Sequence, residues 1–204
     1  MTYLFFRSMK IIVFVLLFCM GRLCAQDLMQ YDPVPDSLLV KTTAGKRISY
    51  SCQDYTIDIY GRNFKVKEGK KILFGDTGEQ EAKMVVPHIY FLKADSTYHK
   101  LLVAEYSSGF SLGLGIYIIN GTESRKIGFL ALADDDTAGG DKENLYPVSA
   151  VKDLMLQTDG DNLFISFKCN KIIIHPGSDR EELVDANEIK FIYNGKKLKE
   201  VKKF

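Results

Sequence analysis

The chain has 204 residues, enough for one domain with a sizeable core. Its 27 lysines and arginines nearly balance 26 aspartates and glutamates. The basic excess of a nucleic-acid-binding domain is missing, so no nucleic-acid partner is expected.

Arg7 and Lys10 precede an unbroken apolar run from Ile11 to Met20, and Leu23-Cys24-Ala25 ends in a small residue. A basic start, an apolar centre and a small-residue cleavage point make a secretory leader. The run is about half of the roughly 20 residues that a spanning helix needs. Residues 1–25 are therefore expected to be a cleaved signal peptide, with Met9 an alternative start. A retained anchor and a lipid on Cys19 or Cys24 are the rival readings. Phe18 and Leu23 stand where lipoprotein signals carry a small residue, which disfavours the lipid. Cleavage leaves Gln26 as the first residue of a water-soluble product in the periplasm, at the cell surface or outside the cell, with no transmembrane segment. Without Arg7, Lys10 and Arg22 the count becomes 24 basic against 26 acidic residues, a net charge near −2.

Residues 26–45 read as an irregular segment, because Pro33 and Pro35 break helix and Ala44-Gly45 closes it; Leu38-Leu39-Val40 is a short strand or a packed turn. Residues 46–204 read as a single β-rich domain. Ile48/Tyr50/Cys52, Tyr55/Ile57/Ile59, Phe64/Val66 and Ile72/Phe74 alternate with polar residues, divided by Gly61-Arg62-Asn63 and Glu68-Gly69. Short runs of period two between glycine and asparagine turns are antiparallel strands. A second set follows: Met84 to Val86, Ile89 to Leu92, and Leu101 to Tyr106. Ile116 to Ile119 leads into Asn120-Gly121, a strong hairpin signal because both residues tolerate positive φ. Lys126 to Ala133 returns, and an acidic loop runs from Asp134 to Asn144. Val148 to Leu156 fits strand or short helix. Leu163 to Cys169 and Lys171 to His175 are strands. Ser178-Asp179-Arg180-Glu181 matches a capping box and predicts one short helix near 179–185. Glu188 to Tyr193, Asn194-Gly195 and Lys196 to Val201 form a closing hairpin, whose lysines suit a solvated edge strand. The expected fold is all-β and mainly antiparallel, a β-sandwich or an open barrel-like arrangement of sheets.

Two cysteines remain after cleavage, Cys52 and Cys169, each on the apolar side of a strand. In an oxidising compartment the pair is a disulfide candidate. A bridge over so long a loop is worth about 4–5 kcal/mol in the chain-entropy model. Two buried free thiols are the alternative.

Gly109-Phe110-Ser111-Leu112-Gly113 matches the G-x-S-x-G nucleophile elbow, with Asp159, Asp161 and His175 downstream. The elbow must run into a helix. Leu114-Gly115-Ile116-Tyr117 predicts a strand instead, so the glycines are expected to serve a bulge or a close backbone approach. No phosphate loop follows either, since the Lys-Ser/Thr pair is absent. In the acidic loop Asp134, Asp136 and Gly139 fall on calcium-loop positions, but Ala138 and Leu145 occupy ligand positions. His88, His99 and His175 lack metal-ligand spacing. Glu105 is the acid placed among apolar neighbours. Tyr60, Tyr90, Tyr106 and Tyr117 are available for a ligand platform in a chain without tryptophan.

No catalytic residue, metal site or cofactor is assigned. The first expectation is an exported binding or interaction protein whose partner is a protein, a glycan or an envelope component, since loops on a β-scaffold carry function. A structural envelope protein is the second. A secreted hydrolase using Ser111 or an acid pair is the third.

Overall fold

The computed structural model describes residues 28–35, 38–92, 100–135, 146–159 and 162–202. The expected leader lies outside them, as do residues 136–145 of the acidic loop. The fold is all-β and antiparallel, with no helix of 7 or more residues among those described.

Strand β1 (Met29–Pro33) precedes a five-stranded meander. Its members, in sheet order, are β2 (Val40–Ala44), β3 (Arg47–Cys52), β4 (Tyr55–Tyr60), β5 (Asn63–Glu68) and β6 (Lys71–Asp76). Three long strands follow, β7 (Met84–Leu92), β8 (Lys100–Ser107) and β9 (Ser111–Ile119), and then the shorter β10 (Arg125–Leu130). Next come β11 (Leu132–Asp135), β12 (Pro147–Val148), β13 (Leu154–Asp159) and β14 (Asn162–Phe167). The chain ends with β15 (Lys171–Ile174), β16 (Glu182–Asp185), β17 (Ile189–Tyr193) and β18 (Leu198–Lys202).

Nine strands form one sheet in the order β10-β9-β8-β7-β1-β13-β14-β17-β18, curled into a nearly closed barrel. Strand β1 splices its two halves. Tyr31–Pro33 pairs with β7, and Met29 and Gln30 pair with β13. The segment 26–45, expected to be irregular, therefore supplies two strands. Pro33 is the last residue of β1, and the next amide, Val34, still donates to the Ile89 carbonyl at 2.8 Å. Met84–Val86 and Ile89–Leu92 are likewise one strand. Pro87 is tolerated within it because β1 pairs only with Tyr90–Leu92, so the ladder on that flank does not extend to the proline.

Strand β8 divides two cores. Leu101 and Val103 point into the barrel, while Leu102, Ala104 and Tyr106 point to the meander. All five are at most 2 % exposed. Burial on both faces explains why Leu101-Leu102-Val103-Ala104 is apolar without alternation. Each such leucine contributes roughly 1.5–3 kcal/mol of transfer free energy. The meander contributes Ile57, Ile59, Phe64 and Val66 to the outer core. At its joint with the barrel, the Tyr117 ring meets Phe64 edge-on and stacks on Phe74, with centroids 5.2 and 5.4 Å away. The Tyr117 hydroxyl donates to Asp76 and lies 2.7 Å from that of Tyr106. Burial pushes the Asp76 carboxyl up, but the Tyr117 hydrogen bond and the Lys126 ammonium outweigh it and hold the carboxyl below its ordinary value.

A four-stranded sheet, β12-β11-β15-β16, covers one end of the barrel, and Leu132 and Ile172 extend the barrel core into it. Here the expected helix near 179–185 fails. The side chains of the box bond amides one residue early: the Arg180 amide, not that of Glu181, donates to Ser178 Oγ at 3.1 Å, and the Gly177 amide, not that of Ser178, donates to Glu181 Oε2 at 2.5 Å. They close a turn, and Glu182–Asp185 then pairs with β15 residue for residue. Tertiary pairing overrides the local signal.

The two barrel edges, β10 and β18, share no backbone ladder among the described residues. Side chains hold the seam instead. Leu198 of β18 lies so close over Gly128 of β10 that a Cβ on the glycine would overlap it.

Candidate functional site

The end of the barrel opposite the four-stranded sheet is a mouth. Antiparallel order brings alternating strand starts and ends to it. Leu101 lies near the start of β8, Ile118 lies near the end of β9, and Arg125 opens β10. Thr158 lies near the end of β13, Leu163 near the start of β14, and Tyr193 ends β17. Register locks them side by side: Leu101 faces Ile118, Ile118 faces Arg125, Thr158 faces Leu163, and Leu163 faces Tyr193. Together with Tyr31 they surround a cavity of about 360 Å³.

Its floor is apolar, with Leu101 2 % and Leu163 5 % exposed. Polar groups sit at the rim. Arg125 Nη2 crosses the seam and donates to the Tyr193 hydroxyl at 2.9 Å and to the Gly195 carbonyl at 3.4 Å. Arg125 Nη1 donates to the Glu123 carbonyl at 3.3 Å. The Tyr193 hydroxyl in turn donates to the Gly195 carbonyl at 2.6 Å. Thr158 bonds the Asn162 carbonyl at 2.9 Å. Burial pushes the Tyr31 phenol up to about 12, so it stays neutral at physiological pH. Asn120 and Lys196 complete the rim. The arrangement can hold an apolar body and hydrogen-bond one polar end. Sequence reasoning missed these residues individually. The signal that marks them is the pair Asn120-Gly121 and Asn194-Gly195: the two strongest turn motifs lie together on this rim.

His99, Asp161 and the loop positions from Asp136 onward lie outside the described residues; the other residues singled out in the sequence fall away from the mouth. Cys52 and Cys169 are both free, which corrects the expected disulfide. Each is on an apolar side, but of different cores: Cys52 is buried in the meander, and Cys169 packs against the barrel. Period two reveals that a strand has an apolar face, not which core receives it. Asp134, Asp153 and Cys169 bring three ligand-type atoms within 4.8 Å of one another. The Lys152 ammonium lies 2.7 Å from Asp134 Oδ2 and supplies positive charge there. Burial, then the two carboxylates, push the Cys169 thiol up to about 11, which keeps it protonated and weakly nucleophilic.

Ser111 starts β9, a strand, and no helix follows it. Its Oγ is buried with no hydrogen-bond partner among the described residues, so none of them activates it as a base. The glycine reading holds at Gly113: φ is +139°, and a Cβ would overlap the Leu130 carbonyl oxygen. Glu105 pairs with His88 at 3.4 Å. His175 sits in a tight turn with φ +52°. Tyr90 lies in the barrel core, Tyr106 and Tyr117 lie in the outer core, and Tyr60 is 44 % exposed, so the four tyrosines form no common platform. No helix among the described residues is long and apolar enough to cross a membrane. Comparison of the chain with known protein families, with curated proteins and with solved structures finds no match.

Proposed function

We propose that the chain is an exported binding protein that takes a small ligand into the mouth of its nearly closed barrel. The observation that carries this reading is the cavity itself. About 360 Å³ lies within the roughly 300–1,000 Å³ of small-molecule sites, and barrel mouths are a preferred place for them. An apolar floor with a few convergent polar groups is the chemistry such sites share. Export rests on the basic, apolar and small-residue order of residues 1–25. A serine hydrolase is disfavoured by Ser111, whose buried hydroxyl has no base beside it among the described residues.

The test is a titration of the full chain with N-phenylnaphthylamine, a neutral apolar fluorophore. Saturable binding to one site is expected. Asn120→Trp places a large ring at the rim and should abolish it while leaving the circular dichroism unchanged. Ligand at about 100 times Kd should stabilise the protein by about 2.7 kcal/mol. Undiminished binding in Asn120→Trp, or no saturable binding at all, removes the mouth as the site.

A further inference from the structure

We infer that the mouth selects an amphipathic anion: an apolar body resting on Leu101, Ile118 and Leu163, with a single anionic group on Arg125. This deepens the proposed binding role and rests on it. Three observations carry it. First, the three acceptors that orient the Arg125 guanidinium are all neutral: the Tyr193 hydroxyl and the Gly195 and Glu123 carbonyls. No carboxylate lies within ion-pair distance of it among the described residues, although Arg47, Lys67, Lys126 and Lys152 each have one. Second, the guanidinium is held in place. Bonds to β17 and its turn fix it across the seam, which leaves Nε–H and one Nη1–H for a ligand. Third, the second cation lining the cavity, Lys196, belongs to the same turn, whereas Glu123 is the one acid. A fixed cation beside an apolar cavity favours a ligand carrying both features, because charge-assisted hydrogen bonds exceed neutral ones in strength. Neutral apolar ligands gain the floor alone, and small hydrophilic anions gain the guanidinium alone.

Two fluorophores that differ by one sulfonate separate the terms. Anilinonaphthalenesulfonate should bind the full chain about tenfold more tightly than N-phenylnaphthylamine, the increment of one charge-assisted contact. Arg125→Gln should bring the two Kd values together, whatever its effect on the neutral probe alone, and Arg125→Lys should keep part of the difference. Arg180→Gln, a charge removed away from the mouth, should leave the ratio as it was. Octanoate should displace the sulfonate probe at a lower concentration than octanol does. Equal affinities in the parent chain, a sulfonate advantage that survives Arg125→Gln, or equal displacement by octanol would overturn the inference and leave a neutral site. Failure of both probes would overturn the binding role itself.

Discussion

At Asp58 a carboxylate with 1 % of its side chain exposed stands on the outward face of the meander. Oδ1 accepts from Arg47 Nη2 at 2.5 Å and Ser49 Oγ at 2.7 Å, and Oδ2 accepts from Lys67 Nζ at 2.5 Å. Burial alone pushes the carboxyl up. The bonds from Lys67, Ser49 and Arg47 together outweigh it and hold the pKa at about 2, against 3.8 for the free side chain. The folded value is the lower one, so the folded protein takes up this proton less readily than the unfolded chain. The stabilisation is complete above about pH 4 and is lost as the pH falls toward 2; its size is about 2 kcal/mol. Urea midpoints measured between about pH 5 and about pH 2 should show the parent losing more stability than Asp58→Asn. At neutral pH the variant should be the weaker protein, because Arg47 and Lys67 then share no anion. A difference between the two proteins that does not change with pH would remove this account. The same residue marks a limit of sequence reading. Alternation places Asp58 on the polar face of β4 between Ile57 and Ile59, but nothing local reveals that the chain brings two cations over it.

Strand β9 tests how closely two elements approach. At Gly113 the backbone has φ +139°, and the Leu130 carbonyl at the end of β10 occupies the space where a Cβ would stand. Gly109 also has positive φ, +94°, but nothing lies within 4 Å of its Cβ position. Gly109→Ala should therefore cost about 1 kcal/mol of strain, and Gly113→Ala about 3 kcal/mol or more, since overlap with backbone is added to strain. Equal losses on chemical denaturation would show that contact contributes nothing at Gly113. Elements were legible where local pattern and tertiary partner agree. The hairpins of the meander, the Asn120-Gly121 and Asn194-Gly195 turns, and the lysine-rich edge strand β18 all follow from period two and turn chemistry. They were illegible where a distant partner decides. Strand β1 is 5 residues long and ends in proline, and it is a strand because β7 and β13 lie on either side. The Ser178 and Glu181 side chains both accept from nearby amides, yet β15 claims Glu182–Asp185 as a strand. The mouth was illegible for the same reason: its residues come from strands far apart in the chain, and only barrel closure gathers them.

The molecule as a whole is one barrel sheet with an apolar core on each face, and the two cores fail by different routes. The meander closes over the outer core through ring packing around Tyr117 and contributes nothing to the seam. The inner core depends on the seam, where β10 and β18 meet through side chains alone. Leu198 packs over Gly128 there, and the Arg125 bond to Tyr193 guards the end beside the mouth. Truncating Leu198 removes a half-buried leucine from a position with no ladder to compensate. Leu198→Ala should cost about 2–3 kcal/mol, the low end for leucine truncation, because the site is only partly enclosed. The loss should also be local. Amide exchange should quicken in β17 and β18 and at the start of β10, through openings of the seam below the global unfolding energy. Amides of β3, β4 and β5 should keep their protection, because Ile57, Phe64 and Val66 pack on the far side of the sheet. Since Arg125 and Tyr193 lie on opposite sides of that seam, the neutral probe should bind Leu198→Ala more weakly as the rim loosens. Uniform acceleration of exchange across meander and barrel would instead mean that the two cores open together, and that the seam is not where this fold gives way first.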